Sequence, residues 1–478
     1  MTSAPAHQRR RGATIVRSLA SSLLVASGVA ACGTGDDGDA DDRPARAPGE
    51  PVPLVVDTDL AADDIAALLF LLSSPDADVR AVTVSGTGEV RCPQGLEVAA
   101  RLLAVTGDEG IPVACGRSDP LEGDAAFPDD WRDATDAAYG LPLPDAEATG
   151  SPDGAVELLT EQLADGDVTL LTLGPLTNVA EALRAEPDLA EEVPSIVVMG
   201  GAVRTAGNVF GEGIPPSTAE WNMYVDPTAA AEVVASGAPV VLVPLDATNQ
   251  APVTPDFVDL LDANAGTEAA RLVAQLYGDN PMVTAGETFF WDPLAAVVAL
   301  GSDTVSAEGD TITVVTEDGV DSGRTLRDDD GSPVLVAVEV DVAAFEELLV
   351  RTLAGLSEED ELAGPPEPVA EASITFDGTT CAYDGPASVP AGRLLLDYRS
   401  DLDGSGAAVV HLTGALTIEE IIAHVVADPT DEDPPGVADL TFIDLGVQTP
   451  VDVMPPAVAI ACSAEQGLPV AGPPISVG

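Results

Sequence analysis

Lysine is missing from this chain altogether. All 19 cationic residues among its 478 are arginine, against 81 Asp and Glu, for a formal net charge of −62. So few cations exclude electrostatic binding to a nucleic-acid backbone, which needs clustered positive charge. They also exclude docking on an anionic membrane surface. Histidine is almost as scarce: only His7, His411 and His424 occur. Any chemistry between them, from residue 8 to residue 410, works without imidazole. A Ser-His-Asp triad and a three-histidine zinc site are excluded there. No apolar run is long enough to span a bilayer.

What is present is a chain that can fold. Hydrophobic residues make up 46%, too many for a disordered acidic polymer. The length fits two to three domains of roughly 100–200 residues. The carboxylate surplus reads as a solubilising surface.

The first residues look like an address. Arg9, Arg10, Arg11 and Arg17 precede a short apolar run, LASSLLVASGVAA, at residues 19–31. Cys32 follows Val29-Ala30-Ala31. This resembles a bacterial lipoprotein signal peptide over residues 1–31, which implies cleavage before Cys32 and a diacylglycerol on it. The expected location is outside the cell, anchored by lipid to the outer face of the membrane. Residues 32–51 are an acidic tether without apolar periodicity. Export predicts disulfides. The four remaining cysteines fall as two pairs in two stretches of chain that read as separate domains, which favours Cys92–Cys115 and Cys381–Cys462 among the three pairings.

From residue 52 to 355, strand-like runs such as PLVVDT, VRAVTVS, VTLLTL, SIVVMGG and PVVLVPL alternate with helix-like segments. That alternation predicts an α/β, Rossmann-like domain with a mainly parallel sheet. Ligands of such sheets bind beyond the carboxyl ends of the strands. Residues 356–370 form an acidic, Pro-containing linker. Residues 371–478 read as short strands between Gly, Pro and Asp turns, a small β-sandwich-like domain. His411 in a strand and His424 in a helix read there as packed side chains.

Asp57, Asp59, Asp63 and Asp64 crowd the junction of the first strand and first helix. Strand alternation predicts Asp57 and Asp59 on one face, with the turn returning Asp63 and Asp64 towards them. Carboxylates this close repel unless a cation joins them. A hard divalent ion with oxygen ligands at about 2.0–2.6 Å answers that need. Helix capping and solvated turn acids are the bland alternative.

Here the sequence resembles the inosine–uridine nucleoside hydrolase family. VVDTDLAADDIAALL resembles its D-x-D-P-G-x-D-D signature, and LTLGPLTNVAEAL its G-P-L-T-N-I-A segment. VVMGGAVRTAGN, AEWNMYVDPTAAAEVV, VPLDATNQ and FWDPLAAVVAL resemble four later motifs, in the family's order. The resemblance implies Ca²⁺-dependent hydrolysis of the N-glycosidic bond of ribonucleosides. It implies Asp59, Asp64, Asp292 and the Leu173 carbonyl as Ca²⁺ ligands, with Asp59 also the general base. Asp63, Asn208, Glu220 and Asn222 are implied as ribose binders, with Met199 beside the sugar and Asp57 supporting the loop. It also implies a homo-oligomer.

Three departures stand out. Leu60-Ala61 replaces Pro-Gly, which predicts a differently shaped loop. Gly86-Thr87-Gly88-Glu89 replaces a Gly-Asn segment, with Thr87 or Glu89 in the place of the asparagine. Trp291 replaces the histidine that protonates the departing base in much of the family. Trp291 is either a base-stacking residue or a core aromatic beside Phe289 and Phe290. Glu89 and Asp119 are the candidate proton donors. The competing reading is a non-catalytic nucleoside-binding lipoprotein. An aspartyl phosphatase is disfavoured, because no Thr follows the second Asp of VVDTDLA.

Overall fold

The apolar run after residue 51 forms strand β1, Val52–Thr58. Its residues are buried on both faces, as a central parallel strand requires. Leu54 and Val56 join one hydrophobic core, and Val55 joins another on the opposite side. The sheet therefore carries helices on both faces. A computed structural model describes residues 49–478 except 165, 211–213, 215–216, 365–367, 401, 403–404, 413–417, 419, 423–436, 444–447, 454, 464–469, 473 and 478. The expected signal peptide, the lipid site Cys32 and His424 lie outside the described residues, as does the tether up to residue 48.

After β1 come α1 (Ala62–Ser73), β2 (Ala77–Val84), α2 (Cys92–Thr106), β3 (Val113–Cys115), α3 (Asp129–Asp136), α4 (Ala155–Leu163), β4 (Thr169–Thr172) and α5 (Thr177–Ala185). The sheet is completed by β5 (Ile196–Met199), β6 (Val240–Val243), β7 (Val305–Val314), β8 (Thr325–Arg327) and β9 (Ser332–Val340). Strand order is β3-β2-β1-β4-β5-β6-β9-β7-β8. It is parallel from β3 to β9, and β7 runs antiparallel to β9 and β8. The α/β expectation holds. Connections run one way from β1 to β2 and β3, and the other way to β4. The β1–β4 junction is thus the switch point at which such sheets open a crevice.

Helix α1 is buried from Asp64 to Leu71. It packs under the helix Trp291–Ala299, which brings two distant segments of chain together. Helix α2 ends at Gly107, whose φ of +86° suits glycine.

Beyond the helix Val342–Ala354, the chain forms a four-stranded sheet packed on a six-stranded one. One core cluster lies between them. Cys381 stands in the strand Cys381–Asp384 of the first sheet, and Cys462 in Ala457–Ser463 of the second. Their disulfide joins the two layers. Cys92–Cys115 is the other disulfide, so both expected pairings are formed. Arg393 of this lobe pairs with Asp259 of the α/β lobe. His411 is buried in the strand Gly406–Leu412, with neither ring nitrogen bonded among the described residues. No helix among the described residues is long and apolar enough to cross a membrane.

Candidate active site

A cavity of about 600 Å³ opens above the carboxyl ends of β1, β4 and β5. Its floor carries Asp59, Leu173 and Met199, each just past or at the end of one of those strands. Strand β1 ends at Thr58, so alternation does not extend to Asp59. Asp57 and Asp59 therefore do not share surroundings, contrary to the expectation. Asp57 is fully buried away from the cavity, where Oδ1 accepts from Thr83 Oγ1 at 2.6 Å and Asn178 Nδ2 at 2.8 Å. Burial pushes its carboxyl up to about 7.

Asp59 is clamped. Its Oδ2 accepts from the Glu89 N–H at 3.1 Å, and its carbonyl from the Val90 N–H at 3.0 Å. Gly174 leaves room for its side chain, since a β-carbon there would stand 2.9 Å from Asp59 Cβ. The next residue, Leu60, has φ +58° and is buried. Such a conformation is costly for a branched side chain and closed to proline. The loop is thus shaped differently from a Pro-Gly loop, as expected. Leu60 N–H donates to Thr58 Oγ1 at 3.1 Å, and that hydroxyl donates to Asp64 Oδ1 at 2.5 Å.

The first turn of α1 supplies Asp63 and Asp64, and the first turn of Trp291–Ala299 supplies Asp292. Oxygens of these three carboxylates lie within 4.8 Å of one another. Asp292 Oδ1 is buried and has no partner among the described residues. Burial, then the like charge of neighbouring carboxylates, pushes Asp59, Asp63 and Asp292 well above the usual carboxylate range. An oxygen-only, anionic donor set of this kind fits a hard divalent cation. Asp63, implied as a ribose binder, stands inside this cluster.

The remaining implied residues also reach the cavity. Glu220 caps the short helix Trp221–Val225, accepting from Asn222 N–H at 3.0 Å and Met223 N–H at 3.2 Å. A third bond comes from Gly201 N–H at 3.0 Å. Burial raises its carboxyl, against the pull of those N–H groups. Asn222 Nδ2 donates to the Leu173 carbonyl at 2.7 Å and the Met199 carbonyl at 3.3 Å. Asn208 Oδ1 accepts from Trp221 N–H at 3.1 Å.

The departures separate cleanly. Thr87 is buried and bonded to Ser85 and Thr177, and does not line the cavity. Glu89 does line it. Thr135 and Tyr139 hydroxyls donate to its Oε2 at 3.0 and 3.1 Å. Burial raises the Glu89 carboxyl to about 7. Asp119 is exposed and outside the cavity. Trp291 lines the cavity, 5.7 Å from Phe289, whereas Phe290 turns into the core against Phe257 and Phe345. Trp291 is half-buried: it packs against the core and also lines the cavity.

Sequence reasoning missed the outer wall. Helix α3 brings Trp131, which packs with Phe127 and Trp221. Arg91 fastens α3 by ion pairs to Asp129, Asp133 and Asp136. Tyr139 follows in a segment where Ala138 and Tyr139 have φ of +49° and +52°. The pair Asp129-Asp130 after Pro128 is the one local signal of a helix start there.

Residues 54–347 match the family described as inosine-uridine preferring nucleoside hydrolase. Uridine nucleosidase 1 of Arabidopsis thaliana is 31% identical over 320 residues, covering 63% of this chain and 92% of that protein. The pyrimidine-specific ribonucleoside hydrolase RihA of Photobacterium profundum is 34% identical over 226 residues, 47% of this chain and 70% of its own length. Among solved structures, the plant nucleoside hydrolase PpNRh1 superposes with a TM-score of 0.56 at 29% identity, over 64% of this chain and 99% of its own. A purine-preferring ribonucleoside hydrolase from Gardnerella vaginalis gives 0.55 at 28% identity, over 63% and 98%. The β-sandwich lobe lies beyond the family match.

Proposed function

Since this chain belongs to the inosine-uridine preferring nucleoside hydrolase family, we propose that it cleaves ribonucleosides with Asp59 as general base beside a Ca²⁺ ion. It is a nucleoside hydrolase, a glycosidase acting on N-glycosyl bonds. The observation that best supports the proposed roles is the clamping of Asp59 on the cavity floor, next to Asp63, Asp64 and Asp292.

Asp59, Asp64, Asp292 and the Leu173 carbonyl would hold the ion, with Asp63 within reach of the same cluster. Bound there, Ca²⁺ supplies positive charge and Lewis acidity. Asp59 takes the proton of the attacking water. Asp63, Asn208, Glu220 and Asn222 hold the ribose hydroxyls, with Met199 against the sugar. The bonds already made by Glu220 and Asn222 fix their orientation before substrate arrives. Positive charge grows on the ribose as the bond to the base stretches. The surrounding carboxylates stabilise that charge. A 2′-deoxyriboside would leave buried polar groups without partners, and is expected to be rejected. Trp291 offers a face on which the base stacks.

Ribose release from inosine, guanosine, adenosine, uridine and cytidine tests the reading, before and after chelation and with Ca²⁺ restored. Release that disappears with chelator and returns with Ca²⁺ supports it. Release indifferent to chelator removes the ion. Binding without release would favour the nucleoside-binding lipoprotein, the weaker reading while Asp59 is retained and the relatives carry hydrolase names.

The same proposal includes export and a lipid anchor on Cys32. Two disulfides support an oxidising compartment. Labelling with a radioactive fatty acid tests it: wild-type chain should be labelled and Cys32→Ser should not.

A further inference from the structure

All three tryptophans of the chain, Trp131, Trp221 and Trp291, line this one cavity. Phe127 stacks on Trp221 with ring centroids 4.9 Å apart, and Trp131 leans on Trp221 at 5.4 Å. These rings hold one another, so the surface they present is a fixed wall. Among the described lining residues nine are Asp or Glu, and none is Arg or His. Three of the nine, Asp130, Asp279 and Glu287, are exposed and come from segments outside the carboxylate floor. Aromatic faces carry negative charge density and attract cations. A wall of aromatic rings flanked by carboxylates, with no cation among the described lining residues, favours a flat, positively charged ring.

The leaving group gives an independent argument. A neutral base departs easily only when it is protonated. Among the described lining residues no imidazole, ammonium or guanidinium is present to do this, and the candidate donor Glu89 has its Oε2 taken up by the Thr135 and Tyr139 hydroxyls. A base attached through a quaternary ring nitrogen has no such need. Its C1′–N bond breaks, the electron pair returns to the nitrogen, and the base leaves neutral. Water adds its oxygen to C1′ and gives its proton to Asp59. Ribose, a neutral heterocycle and one proton are the products.

We propose that the preferred substrates are ribosides of cationic heteroaromatic bases, such as N-ribosylpyridinium or N7-methylated purine ribosides, bound between the tryptophan wall and the carboxylates of the mouth. The inference rests on the hydrolase reading and names its substrate class.

Two paired comparisons test it. At pH 6, kcat/KM is measured for 7-methylguanosine against guanosine, and for nicotinamide riboside against uridine. Each is divided by its uncatalysed rate in the same buffer. The cationic member is expected to lead by at least about tenfold. Binding of 1-methylnicotinamide against nicotinamide is read separately from tryptophan fluorescence, since every tryptophan faces the site. The cation is expected to bind at least about tenfold more tightly, and the gap should shrink in Asp279→Asn/Glu287→Gln. Equal efficiencies and equal binding would overturn the proposal while leaving the hydrolase reading intact. Release of ribose from none of the substrates would overturn the hydrolase reading, and the proposal with it.

Discussion

A β-carbon added to Gly88 would stand 2.1 Å from the β-carbon of Asp59. No side chain fits between the two. The segment that departs from the family pattern thus sets the position of Asp59.

Gly88→Ala should therefore push Asp59 off the cavity floor. A displacement of about 1 Å costs on the order of 10²-fold in rate. We expect kcat to fall by about that factor, with thermal stability changed by only a few degrees. A variant with wild-type kcat would detach Gly88 from the placement of Asp59.

Asp59→Asn keeps the shape of the side chain and its bond from Glu89 N–H, but removes the base. Turnover should be lost by at least about 10²-fold. Quenching of tryptophan fluorescence by nucleoside should persist. Full activity in this variant would take Asp59 out of the role.

Asp59, Asp63 and Asp292 are held above the usual carboxylate range by burial and mutual repulsion. Without metal, the folded protein then binds more protons than the unfolded chain at pH values above about 4. Its stability must fall as pH rises from there. A bound cation replaces those protons. Chelated protein should melt progressively lower from pH 5 to pH 8, and added Ca²⁺ should raise the melting temperature more at pH 8 than at pH 5. A gain that is equal at both pH values would speak against metal at this cluster.

The Cys381–Cys462 bridge closes a loop with a sequence separation of 81. Removing such a link typically costs about 2–5 kcal/mol. Cys381→Ser/Cys462→Ser should make the β-sandwich lobe the first to melt and the first to be cut by protease, with kcat and KM unchanged. Calorimetry and limited proteolysis read the two effects. A loss of activity in parallel would show that the α/β lobe depends on its neighbour.

Much of the site was legible because its parts sit at strand ends, where hydrophobic period and acidic punctuation coincide. Asp59, Asp63 and Asp64 could be found that way, whereas Leu173, Met199 and Asp292 were marked only by motifs that resemble the family's. Helix α3 could not. Its sequence DDWRDATD has little apolar character, and what fastens it is Arg91, 38 to 45 residues away in sequence. Tyr139 escaped for a related reason: positive φ at two consecutive non-glycine residues has no signature in sequence. Both therefore left the outer wall invisible, while the disulfides, paired one per lobe, were open to simple partition.

Leu60 sets a boundary for anyone redesigning this protein. Averaging over relatives is a common route to thermostable variants, and at residues 60–61 it would install Pro-Gly. The backbone there has φ +58°, which a pyrrolidine ring forbids. That single consensus change would break the loop that it was meant to regularise, so residue 60 has to be exempted, or the whole turn from Thr58 to Asp64 exchanged as a block.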